Sequence, residues 1–333
     1  MKWLKEANEA LFGWGSPVAI GVFRILIGFL SFVNLLLLLP VFNSFFRENG
    51  LFPTWMAERW TEGTPRLNLL AGVTDPTVTT VVFVLVGVAS ILTMLGLFTR
   101  AATIALFVGV VTIHHRSPDI LHSGDTLLRQ WLFLLMIAPA GASLSLDRLI
   151  RVRKGLEGAI PPLVSLWPQR LIQIQLAIVY FTTVWHKWFG DTWRDGTASY
   201  YAFHLHEFDR FPLPAFIQQP WFVVCATYGT LIIELALATL VFSKPLRKWV
   251  LLSGIFLHAY IEYSMNIPMF EWVIVAGFIS HYSGDEVSAW AHRMADRYPS
   301  LRSRFFPVPD SARASEQSAS VGSGISSEAA HVP

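Results

Sequence analysis

The chain has few charged residues and a single cysteine. Asp, Glu, Lys and Arg together make up 14% of its 333 residues, and the formal net charge at pH 7 is only +2. The basic residues lie in short, separate clusters without interleaved aromatics, which argues against a nucleic-acid-binding protein. One cysteine, Cys225, excludes an internal disulfide and a CxxC redox or zinc site. Because Cys225 lies in an apolar run, we expect it to be a small buried hydrophobe.

Apolar sequence, in contrast, is abundant. Hydrophobic residues make up 53% of the chain and aromatic residues 14%. Several runs approach the roughly 20 residues needed to cross a hydrocarbon core. The sequence therefore predicts an all-α integral membrane protein, a polytopic bundle of about eight transmembrane helices, with seven or nine as the alternatives. The predicted spans are residues 17–40, 77–98, 101–115, 126–141, 170–187, 220–242, 248–262 and 266–281.

The first apolar run is predicted to be a retained helix. It extends from Val18 to Leu39, longer than the roughly 7–15 residues of a signal peptide's apolar region, and no small-x-small cleavage pattern follows it. We divide the chain into a cytoplasmic N-terminal segment (1–16), a transmembrane domain (17–285) and a cytoplasmic tail (286–333). The tail has few large apolar residues from about 307 onward, which predicts disorder there.

Basic residues indicate the orientation of the spans, since short cytoplasmic loops carry an excess of Lys and Arg. With both termini in the cytoplasm, every basic cluster falls on the cytoplasmic side. The sequence thus predicts a multi-pass protein of the cell (inner) membrane. The clusters are Lys2 and Lys5, Arg100, "DRLIRVRK" (147–154), "SKPLRK" (243–248), and the arginines at 293, 297, 302 and 304.

Histidines are concentrated on or near the opposite, outward face. Imidazole suits proton transfer near neutral pH and is a common metal ligand, so the clustering indicates a site without deciding its kind. A metal site would use His204 and His206 with His114 or His122. No HExxH or repeated Glu-x-x-His pattern supports it, and we predict no metal. The outward histidines are His114, His115, His122, His186, His204 and His206, with His258 close beneath them.

Ionisable residues within the predicted spans form a second group. A charge at that depth is costly and usually faces the bundle interior with a partner. We predict an internal polar network, with a purely structural buried ion pair such as Arg24 with Glu234 as the alternative. His258 and Glu262 are four residues apart and share one helix face. The predicted network consists of Arg24, Arg129, Glu234, His258 and Glu262.

A lysine stands at the outer end of the fifth span, in "VWHKWFGDTWRDGTASYY". Lys187 is either an interfacial anchor among belt tryptophans or a base whose ammonium loses its proton in a dry pocket. The residues alone favour the anchor. A base would have His186 and His122 in its catalytic group, because a histidine could orient a bound acid or pass its proton on. Asp195 would hold a loop together. The predicted substrate-binding residues are Trp185, Trp188, Trp193, His204, His206 and Asp125.

Five stretches, in order, resemble the HTTM (horizontally transferred transmembrane) domain proteins, which are related to the membrane half of vitamin K-dependent gamma-carboxylase. The resemblance covers about residues 10–285. The stretches are "FRILIG", "HSGDTLLRQWLFLLMIAPAGASLSLD", "YFTTVWHKWFGDTWRDGTASYY", "IIELALATLVF" and "LHAY".

The resemblance implies a reaction. In the carboxylase a lysine near the corresponding helix end is understood to deprotonate vitamin K hydroquinone. Lys187 looks equivalent, so the resemblance favours the base over the anchor. We expect this chain to lack the carboxylase's large lumenal portion, and Lys187 has no adjacent second lysine, so the implied substrate is a quinone, a lipid or a small peptide. A quinone or hydroquinone is the implied cofactor.

A second, similarly short group in the same fold family helps to mature a sporulation-delaying peptide toxin and also has Lys, Trp and "GTA" after the fifth helix. The alternative expectation is therefore a non-catalytic partner in maturation or export of a small secreted peptide. Expected partners are membrane lipids, and either such a peptide or a neighbouring membrane redox protein, with no nucleic acid.

Overall fold

A computed structural model describes residues 2–297 and is mostly helical. The only strands among these residues are β1 (Trp14–Gly15) and β2 (Val164–Ser165), which form a short antiparallel ribbon. The helices are α1 (Lys2–Phe12), α2 (Val18–Leu38), α3 (Phe42–Phe45), α4 (Thr54–Trp60), α5 (Pro76–Leu95), α6 (Thr99–Arg116), α7 (Ser123–Ile137), α8 (Leu146–Arg153), α9 (Trp167–Trp188), α10 (Asp191–Arg194), α11 (Ala198–Phe203), α12 (Pro220–Ala238), α13 (Lys244–Ser264), α14 (Phe270–Gly277) and α15 (Gly284–Arg297).

Each of the eight apolar runs contains a helix. These are α2, α5, α6, α7, α9, α12, α13 and α14, the last extended by a 3₁₀ turn to His281. Three helical segments are long and apolar enough to cross a membrane, Val18–Phe45, Pro76–Leu95 and Pro220–Ala238. The helical fold is therefore confirmed apart from the small ribbon, whereas the count of eight crossings stays a prediction.

Local sequence signals explain where these helices begin and end. The Asp75 carboxylate accepts a hydrogen bond from the Thr77 N–H at 2.7 Å, and Pro76 follows at the first helical position of α5. Gly96 ends that helix with a φ of +68°, a conformation that glycine adopts without strain.

Asp147 fixes the start of α6 from a distant part of the chain. Its carboxylate accepts hydrogen bonds from the Phe98 N–H at 2.8 Å and from the Thr99 N–H and hydroxyl, both at 2.7 Å. Partial burial acts to raise the pKa of Asp147, but these hydrogen bonds outweigh it and hold the pKa below its ordinary value. Asp147 thereby supplies acceptors for N–H groups that have no partner within the helix.

The core is centred on Trp131 of α7, whose side chain is fully buried. The Phe23 ring meets it edge to face, with ring centroids 5.4 Å apart. Gly277 of α14 faces the same indole, and a Cβ at that position would lie 2.3 Å from it. The helices α2, α7 and α14 therefore pack closely because a glycine stands opposite the largest core side chain.

The outer surface of the bundle is apolar. On α5, Val81, Val84, Leu85 and Val88 are 50%, 61%, 60% and 47% exposed. Such a face is unfavourable in water and suits a hydrocarbon surrounding. Cys225, which we expected to be buried, is exposed on α12, because the apolar run that contains it also has an outer face.

Residues 1–284 form one compact unit, and a second unit begins at Asp285. In the second unit the structure describes α15 as far as Arg297. The predicted disorder from about residue 307 lies outside the described residues.

Candidate functional site

Lys187 lies one residue before the end of α9, and its ammonium donates a hydrogen bond to the Glu234 carboxylate of α12. The Lys187 side chain is 24% exposed and that of Glu234 only 8%. The Thr183 hydroxyl, one turn earlier on α9, lies 3.4 Å from the other Glu234 oxygen. The result is an ion pair in which the carboxylate is nearly buried and the ammonium is partly exposed.

Of the three tryptophans predicted to bind substrate, Trp193 lies against the lysine. The Lys187 ammonium is 4.9 Å from the centroid of the Trp193 ring, close enough for a cation–π contact. Trp185 and Trp188 point outward, with 56% and 55% of their surface exposed. Their exposure is typical of side chains in the membrane interface. His186 is also exposed.

His122 and Asp125 lie together at the start of α7. The Asp125 carboxylate accepts from the His122 N–H at 3.1 Å, while the His122 ring accepts from the Gly124 N–H at 3.3 Å. Two further buried groups complete this polar cluster, because the Asn34 amide donates to Asp125 at 3.0 Å and the His114 ring lies 3.6 Å from it.

A cavity of about 280 Å³ adjoins this cluster. Its walls are mostly apolar, and Asn34, His114, His122 and Asp125 provide its polar groups. The His114 side chain is 2% exposed, and its Nδ1 atom has no hydrogen-bond partner in the protein. An apolar cavity with a few polar groups is typical of a small-molecule site. No hydrogen bond or ion pair among residues 2–297 joins this cluster to Lys187.

A third cluster links α9, α13 and α14. The His258 Nδ1 atom faces the Glu271 carboxylate, and its Nε2 atom lies 2.7 Å from the Tyr180 hydroxyl. All three side chains are almost fully buried, with 2% to 3% of each residue exposed. The arrangement is a carboxylate–imidazole–hydroxyl series, in which the carboxylate sets the tautomer of the imidazole.

The predicted network is thus divided among several partners. Glu262 accepts hydrogen bonds from the Arg210 guanidinium and from the Trp272 indole, the latter at 3.0 Å. Glu262 and His258 line the same cavity, as their spacing predicted, but do not bond to each other. The Arg129 guanidinium donates to the Thr126 hydroxyl at 3.2 Å.

The suggested ion pair between Arg24 and Glu234 is wrong. The Arg24 side chain is fully buried and donates to the carbonyl oxygens of Ala140 at 2.9 Å, Ser143 at 3.3 Å and Leu144 at 2.5 Å. These carbonyls follow α7, where the backbone has left the helix and its acceptors need partners. Arg24 therefore holds a turn in place, and Glu234 is free to pair with Lys187.

The remaining predicted residues lie on the exposed loop after α11. The His204 Nδ1 atom is 2.7 Å from the Tyr200 carbonyl, and the two rings stack with centroids 4.2 Å apart. His206 lies 3.2 Å from the Asp209 carboxylate. In the part of the chain that the structure describes, no three His, Cys, Asp or Glu side chains are grouped as metal ligands.

Sequence reasoning missed Tyr180 and Glu271. Glu271 is a carboxylate inside the predicted eighth span, so the argument that selected Glu234 would have selected it as well. Tyr180 carries no comparable signal, because a tyrosine in an apolar helix is ordinary. Asn34 and the pairing role of His114 depend on contacts between helices that are distant in sequence.

Comparison with known proteins places the chain in a family. Residues 15–285 match the model of the HTTM domain, which confirms the resemblance. The chain is also similar to the uncharacterized protein YitO of Bacillus subtilis (strain 168), with 29% identity over 119 residues. That alignment covers 34% of this chain and 38% of YitO, so it spans well under half of the relative's length. No solved structure matches. The chain is a membrane protein and belongs to the HTTM domain family.

Proposed function

We propose that this protein is a membrane enzyme that removes a proton from a small, lipid-soluble acid of the hydroquinone class, with Lys187 as the base. The observation that carries the proposal is the pairing of a partly exposed lysine with a nearly buried carboxylate, Glu234. A general base must be reachable by its substrate, and the ion that forms on proton transfer must be stabilised. The pair meets both requirements.

The proposed step is a single proton transfer. Lys187 is an ammonium while it donates to Glu234, so it first gives that proton to water on its partly exposed side. The substrate O–H bond then breaks, the electron pair stays on the oxygen, and the proton moves to the neutral amine of Lys187. Glu234 accepts a hydrogen bond from the ammonium that forms, and the Trp193 ring faces its charge. Membership of the HTTM family supports this chemistry, because the family is related to the membrane half of a carboxylase that deprotonates a hydroquinone with a lysine.

The experiment compares two substitutions of Lys187 in the full chain, purified in lipid nanodiscs. A reduced naphthoquinone is followed by its ultraviolet absorbance in air, since the hydroquinone anion reacts with O₂ to give quinone and hydrogen peroxide faster than the neutral form does. Lys187→Arg keeps a cation but no accessible neutral amine, whereas Lys187→Ala removes both. Both variants should lose the acceleration, and Lys154→Arg, in a cytoplasmic loop, should retain it. Full activity in Lys187→Arg would leave Lys187 as an anchor.

The alternative function is a partner without chemistry of its own, which assists maturation or export of a small secreted peptide. It is favoured by the exposed aromatic side chains between α9 and α12, among them Tyr201, Phe211 and Phe216 at 58%, 52% and 52% exposure. Such side chains suit contact with an apolar peptide. Normal peptide maturation by the Lys187→Ala variant would favour this function over the enzyme.

Both functions use the same proposed topology, with both termini in the cytoplasm of a cell (inner) membrane and the Lys187 end of α9 facing outward. A periplasmic reporter fused after Pro212 should be active, and one fused after Lys154 should be inactive. The reverse pattern would place the lysine on the cytoplasmic side and contradict the assignment of an outward site.

A further inference from the structure

A second cavity, of about 440 Å³, lies between α13 and α14 and is separate from the groups around Lys187. Phe211, Ile255, Tyr263 and Val275 contribute to its mainly apolar wall. Its volume lies within the range of small-molecule sites. Four ionisable side chains also line it, namely Arg210, His258, Glu262 and Glu271.

Two carboxylate oxygens at this cavity are buried without a partner in the protein. Glu271 bonds to His258 through one oxygen, and its Oε1 atom has no hydrogen bond. Glu262 uses Oε1 to accept from Arg210 and Trp272, while its Oε2 atom has none. Glu271 is 3% exposed, so water does not replace the missing donors freely. An unsatisfied buried acceptor is costly, so both oxygens would gain from a donor.

The hydrogen-bond partners of His258 match those of a neutral imidazole, which bears on the charge that the cavity presents. The His258 Nδ1 atom faces a carboxylate, so it carries the hydrogen, and Nε2 is left to accept from the Tyr180 hydroxyl at 2.7 Å. A neutral imidazole therefore satisfies both neighbours. Arg210 then balances only one of the two carboxylates, Glu262 and Glu271, and the cavity has one excess negative charge. A monovalent cation with hydrogen-bond donors complements it.

We propose that this cavity binds an amphiphilic primary amine, with the ammonium between Glu262 and Glu271 and the apolar body against the aromatic wall. The Trp272 side chain, 58% exposed, and the Tyr263 ring stand at the cavity and can contact an ammonium through their faces. Their exposure opens the cavity to the outer surface of the protein, and the apolar wall suits a ligand that arrives from the bilayer. The proposal rests on residues distinct from Lys187 and does not depend on the proton-transfer function.

The test uses 1-adamantylamine as the probe, with 1-adamantanol and adamantane-1-carboxylate as matched neutral and anionic compounds. Binding to the full chain in nanodiscs is measured by isothermal titration calorimetry, with empty nanodiscs subtracted. We expect saturable, one-to-one binding of the amine and at least about tenfold weaker binding of the alcohol, since a charge-assisted hydrogen bond is lost. Equal binding of all three compounds would show nonspecific partition and overturn the proposal.

Two substitutions separate charge from shape. Glu271→Gln can still accept from His258 but removes the negative charge, and it should weaken amine binding by at least about tenfold. Ala259→Phe fills the cavity from an exposed position on α13, and it should weaken amine binding by a similar factor without changing the charge of the cavity. Glu207→Gln, on an exposed outward loop, serves as the control. Thermal unfolding verifies that each variant is folded, and unchanged binding in folded Ala259→Phe would exclude this cavity as the site.

Discussion

Removing either member of the Lys187–Glu234 pair should destabilise the protein, but by unequal amounts. Lys187→Met leaves the Glu234 carboxylate, 8% exposed, with only the Thr183 hydroxyl at 3.4 Å as a partner. Glu234→Gln leaves a lysine that is already 24% exposed and has a long stem, so its ammonium can turn toward water. A buried carboxylate has no such freedom.

The size of each effect follows from the burial of the group left behind. Breaking a fully buried ion pair costs about 3–5 kcal/mol. We expect about 3 kcal/mol for Lys187→Met, the low end, because the Thr183 hydroxyl stays beside the carboxylate. For Glu234→Gln we expect about 1 kcal/mol, since the amide can still accept from the ammonium. The double variant buries no unpaired charge and should cost about 2 kcal/mol, which gives a coupling of about 2 kcal/mol.

The assay is a double-mutant cycle on the unfolding free energy of the purified protein in mixed micelles. Glu62→Gln is the control, because its pair with Arg59 is exposed on both sides, at 78% and 69%, and should be worth no more than about 1 kcal/mol. Equal effects of Lys187→Met and Glu234→Gln that simply add would refute the reasoning, since they would mean that Glu234 is not effectively buried.

Two further predictions concern packing and pH. Gly277→Ala should cost about 1–3 kcal/mol in thermal unfolding, because the added Cβ would lie 2.3 Å from Trp131. The control is Gly87→Ala, whose Cβ would have nothing within 4 Å and which should be neutral or stabilise α5 by up to about 1 kcal/mol. Equal effects of the two substitutions would contradict the close approach of α14. Asp147→Ala should destabilise by about 0.5–2 kcal/mol at pH 7, as loss of a cap does. Because the folded-state pKa of Asp147 lies below its ordinary 3.8, its contribution is present above that pH and is lost as the pH falls through the folded pKa. The stability difference between wild type and variant should therefore shrink in acid, and a constant difference would contradict the assignment.

The helices could be predicted because their signals are local. Apolar runs bounded by Gly, Pro and basic clusters located the helices of the eight predicted spans within a few residues, but not the shorter helices such as α8, which the basic cluster 147–154 forms. One boundary error was at α13, predicted from residue 248 but beginning at Lys244. There the basic sequence "SKPLRK" was read as a loop, although Pro245 is well placed in a first helical turn. A charge run marks a water-facing surface and does not end a helix.

The polar partners could not be predicted, because they depend on how far one helix is displaced along another. Helical periodicity indicates which residues share a face, but it contains no information on axial register between helices. Lys187 was placed at the outer end of one span and Glu234 in the middle of another, 47 residues later, which suggested different depths. In the structure α9 and α12 are offset so that the two side chains meet. A different offset would leave both residues without this partner.

The buried partner of Lys187 bears on whether the lysine is an anchor or a base. An interfacial anchor needs only water and lipid headgroups around its ammonium, and it gains little from a carboxylate that must itself be buried within a helix at considerable cost. A leucine at position 234 would serve such an anchor at least as well. A proton acceptor, in contrast, benefits from a fixed negative group that stabilises the cation formed on transfer. Lys187→Arg preserves the charge opposite Glu234 but cannot form a neutral amine, so it separates the function of the pair in folding from any function in catalysis.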